Sequence, residues 1–198
     1  MSAGLVLASK SATRRAVLEG AGVPFEAAGS GVDEDAAKAE LLGSGAGARE
    51  VAEALAERKA LAVSRGRPEL VIGADQTLEF EGRLYDKAET VEDARARLKA
   101  LRAKPHRLHS AVVVARDGAV VWRDTESATL TMRGFSDGFL EDYLVAEGDA
   151  ALGSVGCYRL EGMGVQLFSK IEGDYFTILG LPLIGLLDLL RREGVLRP

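Results

Sequence analysis

Along the chain, short apolar runs, three- and four-residue apolar spacings and alternating stretches follow one another, and each pattern predicts a different element. Leu5 to Ala8 form a continuous apolar run that suits a buried strand, and Ser9, Lys10 and Ser11 then lead into a helix over Ala12 to Ala21. A second helix is expected from about Ala48 to Arg65, with Val51, Ala54, Leu55, Arg58 and Ala62 on one stripe, so that Arg58 or Lys59 sits at or beside the buried seam. Glu69 to Gly73 reads as another buried strand. It delivers Asp75 and Gln76 just past its end, where open α/β sheets usually place ligands.

Thr90 followed by Asp93 has the spacing of a capping box, and Val91, Ala94, Leu98 and Leu101 continue it as a helix. His109 to Ala115 and Ala119 to Arg133 alternate around Asp117-Gly118, the signature of an antiparallel hairpin. Ser136 caps a helix to about Ala146, and Val165 to Phe168 returns to strand. The last helix starts at Leu181 with Pro182 in its first turn, carries Leu183, Leu186, Leu187 and Leu190 as a seam, and stops at Gly194. Strands and helices that mix without strict βαβ repetition imply an α/β fold with a mixed sheet.

A length of 198 residues fits one domain, 1–198, and excludes two large independent cores. Twenty-three glycines exceed the average of about 7% and signal many tight turns; Gly43 to Gly47 reads as a flexible surface loop. The formal charge of −5 and a pI near 5.2 argue against a broad electrostatic grip on a nucleic-acid polymer, so any phosphate must be held locally. No apolar run approaches a membrane span, so no membrane partner is expected. One cysteine, Cys157, and the lack of a secretory leader pattern lead to a cytoplasmic expectation.

Ser9 and Ser11 beside a helix N-terminus, with Arg14 and Arg15 in its first turns, form an arrangement that holds an anion; a plain helix cap with solvated arginines is the competing interpretation. Asp33, Glu34 and Asp35 follow a glycine turn and read either as oxygen ligands for a hard divalent cation or as a charged surface turn. Asp75, after a strongly apolar strand, is a turn residue or a general base whose pKa rises if a cleft desolvates it. Lys59 and Lys87 are candidate phosphate ligands or ordinary surface lysines. His106, His109 and Cys157 read as structural, which leaves no material for a zinc site, and no Walker or dinucleotide fingerprint is present.

Taken in order, LVLASKSATRR at Leu5 to Arg15, VDE at Val32 to Glu34, ERKA at Glu57 to Ala60, VIGADQ at Val71 to Gln76, Lys87, EGMG at Glu161 to Gly164, KIEGDY at Lys170 to Tyr175 and GLPL at Gly180 to Leu183 resemble the Maf-like nucleoside triphosphate pyrophosphatases. These stretches cover nearly the whole chain. The family usually has Pro where Ala12 stands, and Gly-Lys-Pro where this chain has Asp86-Lys87-Ala88.

The resemblance implies an elongated mixed α/β fold related to inosine triphosphate pyrophosphatases, two-lobed with a central cleft. It implies hydrolysis of a nucleoside triphosphate to the monophosphate and pyrophosphate with a divalent metal, Mg, Mn or Co. Asp75 falls on the proton acceptor, Ser9, Arg14, Lys59 and Lys87 on phosphate-binding positions, and Glu34 on an acidic position near the metal. Thr13, Gln76 and Glu161 fall where the branches of the family differ. The branch preferring thymidine and uridine triphosphates has Arg, Thr and Gln there, and the branch preferring 7-methylguanosine triphosphate has Trp, Gln and Glu. Two of the three residues follow the second branch. Tyr158 is the candidate ring for stacking, since Thr13 has none. A homodimer and a non-catalytic nucleotide-binding regulator of cell division stay open beside the enzyme; a glycosidase lacks the aromatic cluster its substrate would need.

Overall fold

The computed structural model describes residues 4–198. The elements in chain order are β1 (Leu5–Leu7), α1 (Ala12–Gly20), β2 (Glu26–Ala27), α2 (Glu34–Gly43), α3 (Ala48–Ser64), β3 (Leu70–Phe80), β4 (Arg83–Tyr85), α4 (Val91–Leu101), β5 (Pro105–Arg116), β6 (Ala119–Met132), α5 (Asp137–Glu147), β7 (Phe168–Glu172), α6 (Tyr175–Ile178) and α7 (Leu183–Arg192). They build a seven-stranded mixed sheet in the order β2-β1-β3-β5-β6-β7, with β4 on β3. β1 runs parallel to β2 and β3, whereas β4 and β7 run antiparallel to their neighbours. β5 and β6 form the expected hairpin. Asp117 (φ +49°) and Gly118 (φ +76°) both take the left-handed conformation that a two-residue hairpin turn requires.

The chain divides into two compact units, the first comprising residues up to Gln76, His109–Glu126 and Asp174–Pro198, the second Thr77–Leu108 and Ser127–Gly173. In the first unit strand alternation sorts side chains cleanly. Leu5, Leu7, Leu70, Ile72, Ala74, Val112 and Val114 share one core with Val17 and Leu18 of α1 and with Leu183, Leu186, Leu189 and Leu190 of α7. Ala111, Val113 and Ala115 pack on the other face with Ala52, Ala56 and Ala60 of α3. With period-two alternation Asp75 therefore falls on the α3 face and Gln76 on the opposite one.

The small residues of α3 have a steric cause. A Cβ on Gly73 would lie 2.2 Å from the Ala56 carbonyl oxygen and 2.5 Å from the Ala60 nitrogen, so helix and strand meet backbone to backbone. The buried stripe of α3 is accordingly Val51, Ala52, Leu55, Ala56, Lys59 and Ala60. Ala54 and Arg58 are only half-buried and Ala62 is exposed, a correction to the expected seam.

Three further differences are findings. Asp75 and Gln76 lie inside an eleven-residue strand rather than past its end, because Thr77, Leu78 and Phe80 continue the buried alternation. The strand that ends is β1, whose last register pair is Leu7 with Ile72, so β3 runs on beyond it. Asp33 is the N-cap of α2, its carboxylate accepting the Ala36 N–H at 3.0 Å, with Glu34 and Asp35 in the first turn beside the positive end of the dipole. That helix buries only Ala37, so it leaves no apolar stripe in the sequence. Val165 to Leu167 belong to a 3₁₀ turn over Met163–Leu167, where Gly164 leaves room for the Arg159 backbone, and the strand begins at Phe168.

In the second unit α4 and α5 pack together, opened by the capping box of Thr90 with Asp93 and by Ser136, which accepts the Phe139 N–H. His106 is buried, its Nε2 2.7 Å from the Tyr158 hydroxyl, and Phe168 meets the Tyr158 ring edge-on at 4.8 Å. Cys157 and His109 are buried too. Among the described residues no helix is long and apolar enough to cross a membrane.

Candidate active site

Residues from four segments of the first unit meet around Asp75. α1 opens on Ser11, whose hydroxyl accepts the Arg14 N–H at 3.3 Å and caps the helix. The Ser9 hydroxyl accepts the Ser11 N–H at 3.2 Å and the Arg14 Nη1 at 3.3 Å. Arg14 Nε donates to the Gly180 carbonyl at 2.8 Å, which fixes the guanidinium from the far side. The helix cap expected as one alternative is present, and Ser9 in addition holds the Arg14 guanidinium. Arg15, the other arginine in the turn, is exposed.

On the α3 side Lys59 Nζ donates to Asp75 Oδ1 at 2.7 Å and lies 2.9 Å from Glu34 Oε2. The Lys59 and Asp75 side chains are 6% and 8% exposed, against 45% for Glu34. One ammonium thus bridges a sealed carboxylate and an open one. Burial pushes the Asp75 pKa above the usual aspartate value, against the opposing attraction of Lys59 and Arg14. Burial acts in the same direction on Glu34, but Lys59, Lys38 and Arg14 outweigh it and hold that carboxyl below its ordinary value. Desolvation lowers the Arg14 pKa, opposed by the charges of Asp75 and Glu34.

Gln76 points its amide the other way. Its two Nε2 N–H groups are shared among three acceptors, Ser110 Oγ at 2.9 Å, the Thr177 carbonyl at 3.1 Å and the Ile178 carbonyl at 3.0 Å. Thr13 is half-buried on α1, one residue before Arg14. Lys87 and Glu161 belong to the second unit. Lys87 is exposed in the segment between β4 and α4, and Glu161 Oε1 lies 3.5 Å from Arg159 Nε. Tyr158 is buried in the core, so its ring is packed inside the protein and is not a free stacking platform. The structure therefore brings Ser9, Arg14, Glu34, Lys59 and Asp75 into one cluster and sets Thr13 and Gln76 on the elements that carry it. Ser110 and Thr177 escaped sequence reasoning, and Gly180 entered it only within the GLPL stretch, since no local pattern links them to Arg14.

Two carboxylates against Lys59 and Arg14 leave the cluster close to charge balance before any ligand arrives. A polyanion held there would bring negative charge that Lys59 and Arg14, already paired with the two carboxylates, do not neutralise alone. No group of three or more His, Cys, Asp or Glu side chains gathers to hold a metal among the described residues. The donor set matches an ion that takes one or two carboxylates and completes its shell with water and ligand oxygens, as magnesium does.

Sequence comparison now adds to this geometry. Residues 4–193 match the family described as Maf-like protein. A relative from Caulobacter vibrioides named nucleoside triphosphate pyrophosphatase is 62% identical over 97% of this chain and 96% of its own length. Relatives from Brucella abortus and Rhizobium meliloti, both named 7-methyl-GTP pyrophosphatase, are 50% and 48% identical over 97–98% of each chain. An ordered match over nearly the full length, with the acidic and basic side chains gathered around one buried aspartate, places this chain in the Maf family.

Proposed function

We propose that this protein hydrolyses a nucleoside triphosphate to the monophosphate and pyrophosphate, with Asp75 as general base. The observation that carries the proposal is the buried carboxylate of Asp75, its pKa raised by desolvation and its orientation fixed by Lys59 at 2.7 Å. A water attacks the α-phosphorus and gives its proton to Asp75; the bond from that phosphorus to the α,β-bridging oxygen breaks, and the electron pair leaves with pyrophosphate. Arg14, held by Ser9 and the Gly180 carbonyl, offers its guanidinium to phosphate oxygens, and Lys59 adds a compact charge beside the base. Lys87 is assigned to the same substrate oxygens by its place in the family pattern.

Glu34, the half-open carboxylate, suits a divalent cation such as Mg, Mn or Co, with Asp75 close by through the shared Lys59. When bound, such an ion neutralises charge on phosphoryl oxygens.

The base we assign is guanine-type. An ionised Glu161 offers acceptors only, which match the adjacent N1–H and N2 amino donors of guanine and leave the two carbonyls of uracil unpaired. The names of the relatives from Brucella abortus and Rhizobium meliloti support this assignment. Thr13 supplies no aromatic face and Tyr158 is buried, so discrimination for a methylated, positively charged ring is weaker than a tryptophan would give.

Pyrophosphate release from 7-methylguanosine, guanosine, uridine and thymidine triphosphates, with and without chelator, tests the whole proposal. Guanine substrates should lead in kcat/KM, and Asp75→Asn should lower kcat by about 10²–10⁴-fold while the fold survives a thermal melt. A folded Asp75→Asn protein with most of the wild-type kcat would remove Asp75 from its role; turnover untouched by chelator would remove the metal.

A further inference from the structure

The Arg14 guanidinium is held by a chain of hydrogen bonds that begins in the middle of the sheet. Ser110 of β5 is fully buried, and its hydroxyl donates to the Thr177 carbonyl at 2.6 Å while accepting Gln76 Nε2 at 2.9 Å. Gln76 itself donates to the Thr177 and Ile178 carbonyls. These are the last two carbonyls of α6, at a helix end where the ordinary four-residue N–H partners run out. The Thr177 carbonyl also faces the Gly180 N–H at 3.0 Å and the N–H of Leu179, the cap of α6, so side-chain and backbone donors converge on one oxygen. Gly180 takes φ +91°, a conformation open to glycine, and with it presents its carbonyl to Arg14 Nε at 2.8 Å. A Cβ there would also stand 3.5 Å from Arg14 Nη2.

From this we infer that Ser110, together with Gln76, is a positioning residue for Arg14: the pair pins the end of α6, the pinned turn orients the Gly180 carbonyl, and that carbonyl aims the guanidinium. With Nε engaged by Gly180 and Nη1 by Ser9, the remaining N–H groups of the fork are presented in a fixed direction for phosphate oxygens. Gln76 thereby gains a role that does not involve the base, because its amide donors are spent inside the protein. The inference rests on the proposed function only in taking phosphate as the ligand of Arg14.

The test combines two measurements on the full chain. In wild type the Arg14 Nε–H, followed by NMR, exchanges slowly with solvent; Ser110→Ala speeds that exchange and lowers kcat/KM for guanosine triphosphate on the order of tenfold. The kinetic loss shrinks below about twofold when Arg14→Lys is already present, since a residue acting through Arg14 has nothing left to position. Gly180→Ala, which strains the turn without opening the core, gives the same two changes and covers the case in which Ser110→Ala melts early. Unchanged Nε–H exchange in both variants, or an undiminished loss on top of Arg14→Lys, overturns the inference. If wild type released no pyrophosphate from any nucleotide, the proposed function would fall, and the Nε–H exchange alone would decide whether Ser110 positions the guanidinium.

Discussion

Lys59 Nζ stands 2.7 Å from Asp75 Oδ1 and 2.9 Å from Glu34 Oε2, one ammonium shared by two carboxylates of unequal exposure. Burial raises the Asp75 pKa and Lys59 restrains the rise. A base must be unprotonated to accept a proton, so the acid limb of kcat/KM should lie above 3.8, the ordinary aspartate value. Lys59→Met removes a charge that lowers that pKa, and the limb should move further up, whatever the drop in the plateau. A pH–rate profile checks both. A wild-type limb at or below the ordinary value, or a downward shift in the variant, contradicts Asp75 as the base.

Gly73 decides how near Lys59 can come. Its missing Cβ lets the Ala56 and Ala60 backbone approach, and the atoms in the way are backbone atoms that cannot swing aside. Gly73→Ala should therefore cost about 1–3 kcal/mol by overpacking. It should also lower kcat on the order of tenfold or more, because α3 carries Lys59 with it. Gly20→Ala is the control: nothing lies within 4 Å of its Cβ, and stability should stay within about 0.5 kcal/mol. Denaturant unfolding of both variants gives the comparison.

Local signals made much of this legible in the sequence. The capping box at Thr90 and Asp93, the Asp117-Gly118 hairpin and the apolar run before Ser9 each dictate an element from a few adjacent residues, and each is present. The cluster of Ser9, Arg14, Glu34, Lys59 and Asp75 was legible through the family pattern, which records residues that meet only after folding. α2 was not legible, since its helix buries a single alanine and rests on caps and surface charge instead of a stripe. The seam of α3 was displaced because alanines stand on both sides of it, and the choice between them is made by Gly73, a residue of another element. The bracket from Ser110 to Arg14 joins residues 67 and 166 apart in sequence through backbone carbonyls, whose identity no side chain announces.

His106 makes the second unit sensitive to acid. Burial lowers its pKa from 6.5 to about 4, so the folded state keeps the ring neutral over a range in which the unfolded chain takes up a proton. The unfolded state then binds more protons, and stability falls as pH drops from 6.5 towards 4, by about 3 kcal/mol for this group. The buried Nδ1 has no hydrogen-bond partner, which leaves the imidazolium nothing to compensate its desolvation. His106→Gln should flatten this part of the stability–pH curve, while the carboxylates continue to shape it below pH 4. Melts of both proteins at pH 7 and pH 4.5 should therefore differ less in the variant; equal differences would mean that His106 titrates normally when folded.

Lys87 and Glu161 are separable by what each can recognise. An ammonium meets phosphate oxygens, which are the same on every nucleotide, so Lys87→Ala should lower kcat/KM for guanosine, uridine and thymidine triphosphates by similar factors. A carboxylate meets the edge of the base. Glu161→Gln replaces one acceptor by a donor, so it should cost guanine substrates a hydrogen bond and give uracil one, since the amide can donate to a carbonyl that the carboxylate leaves unpaired. The ratio of kcat/KM for guanosine over uridine triphosphate should fall on the order of tenfold or more, with the sum of the two changes concentrated in the ratio and not in the mean. Glu161 lies 3.5 Å from Arg159 Nε, and that contact offers an internal control. Arg159→Met would move the ratio only if the arginine orients the carboxylate, whereas an effect of Glu161→Gln equal on all substrates would place Glu161 outside base recognition.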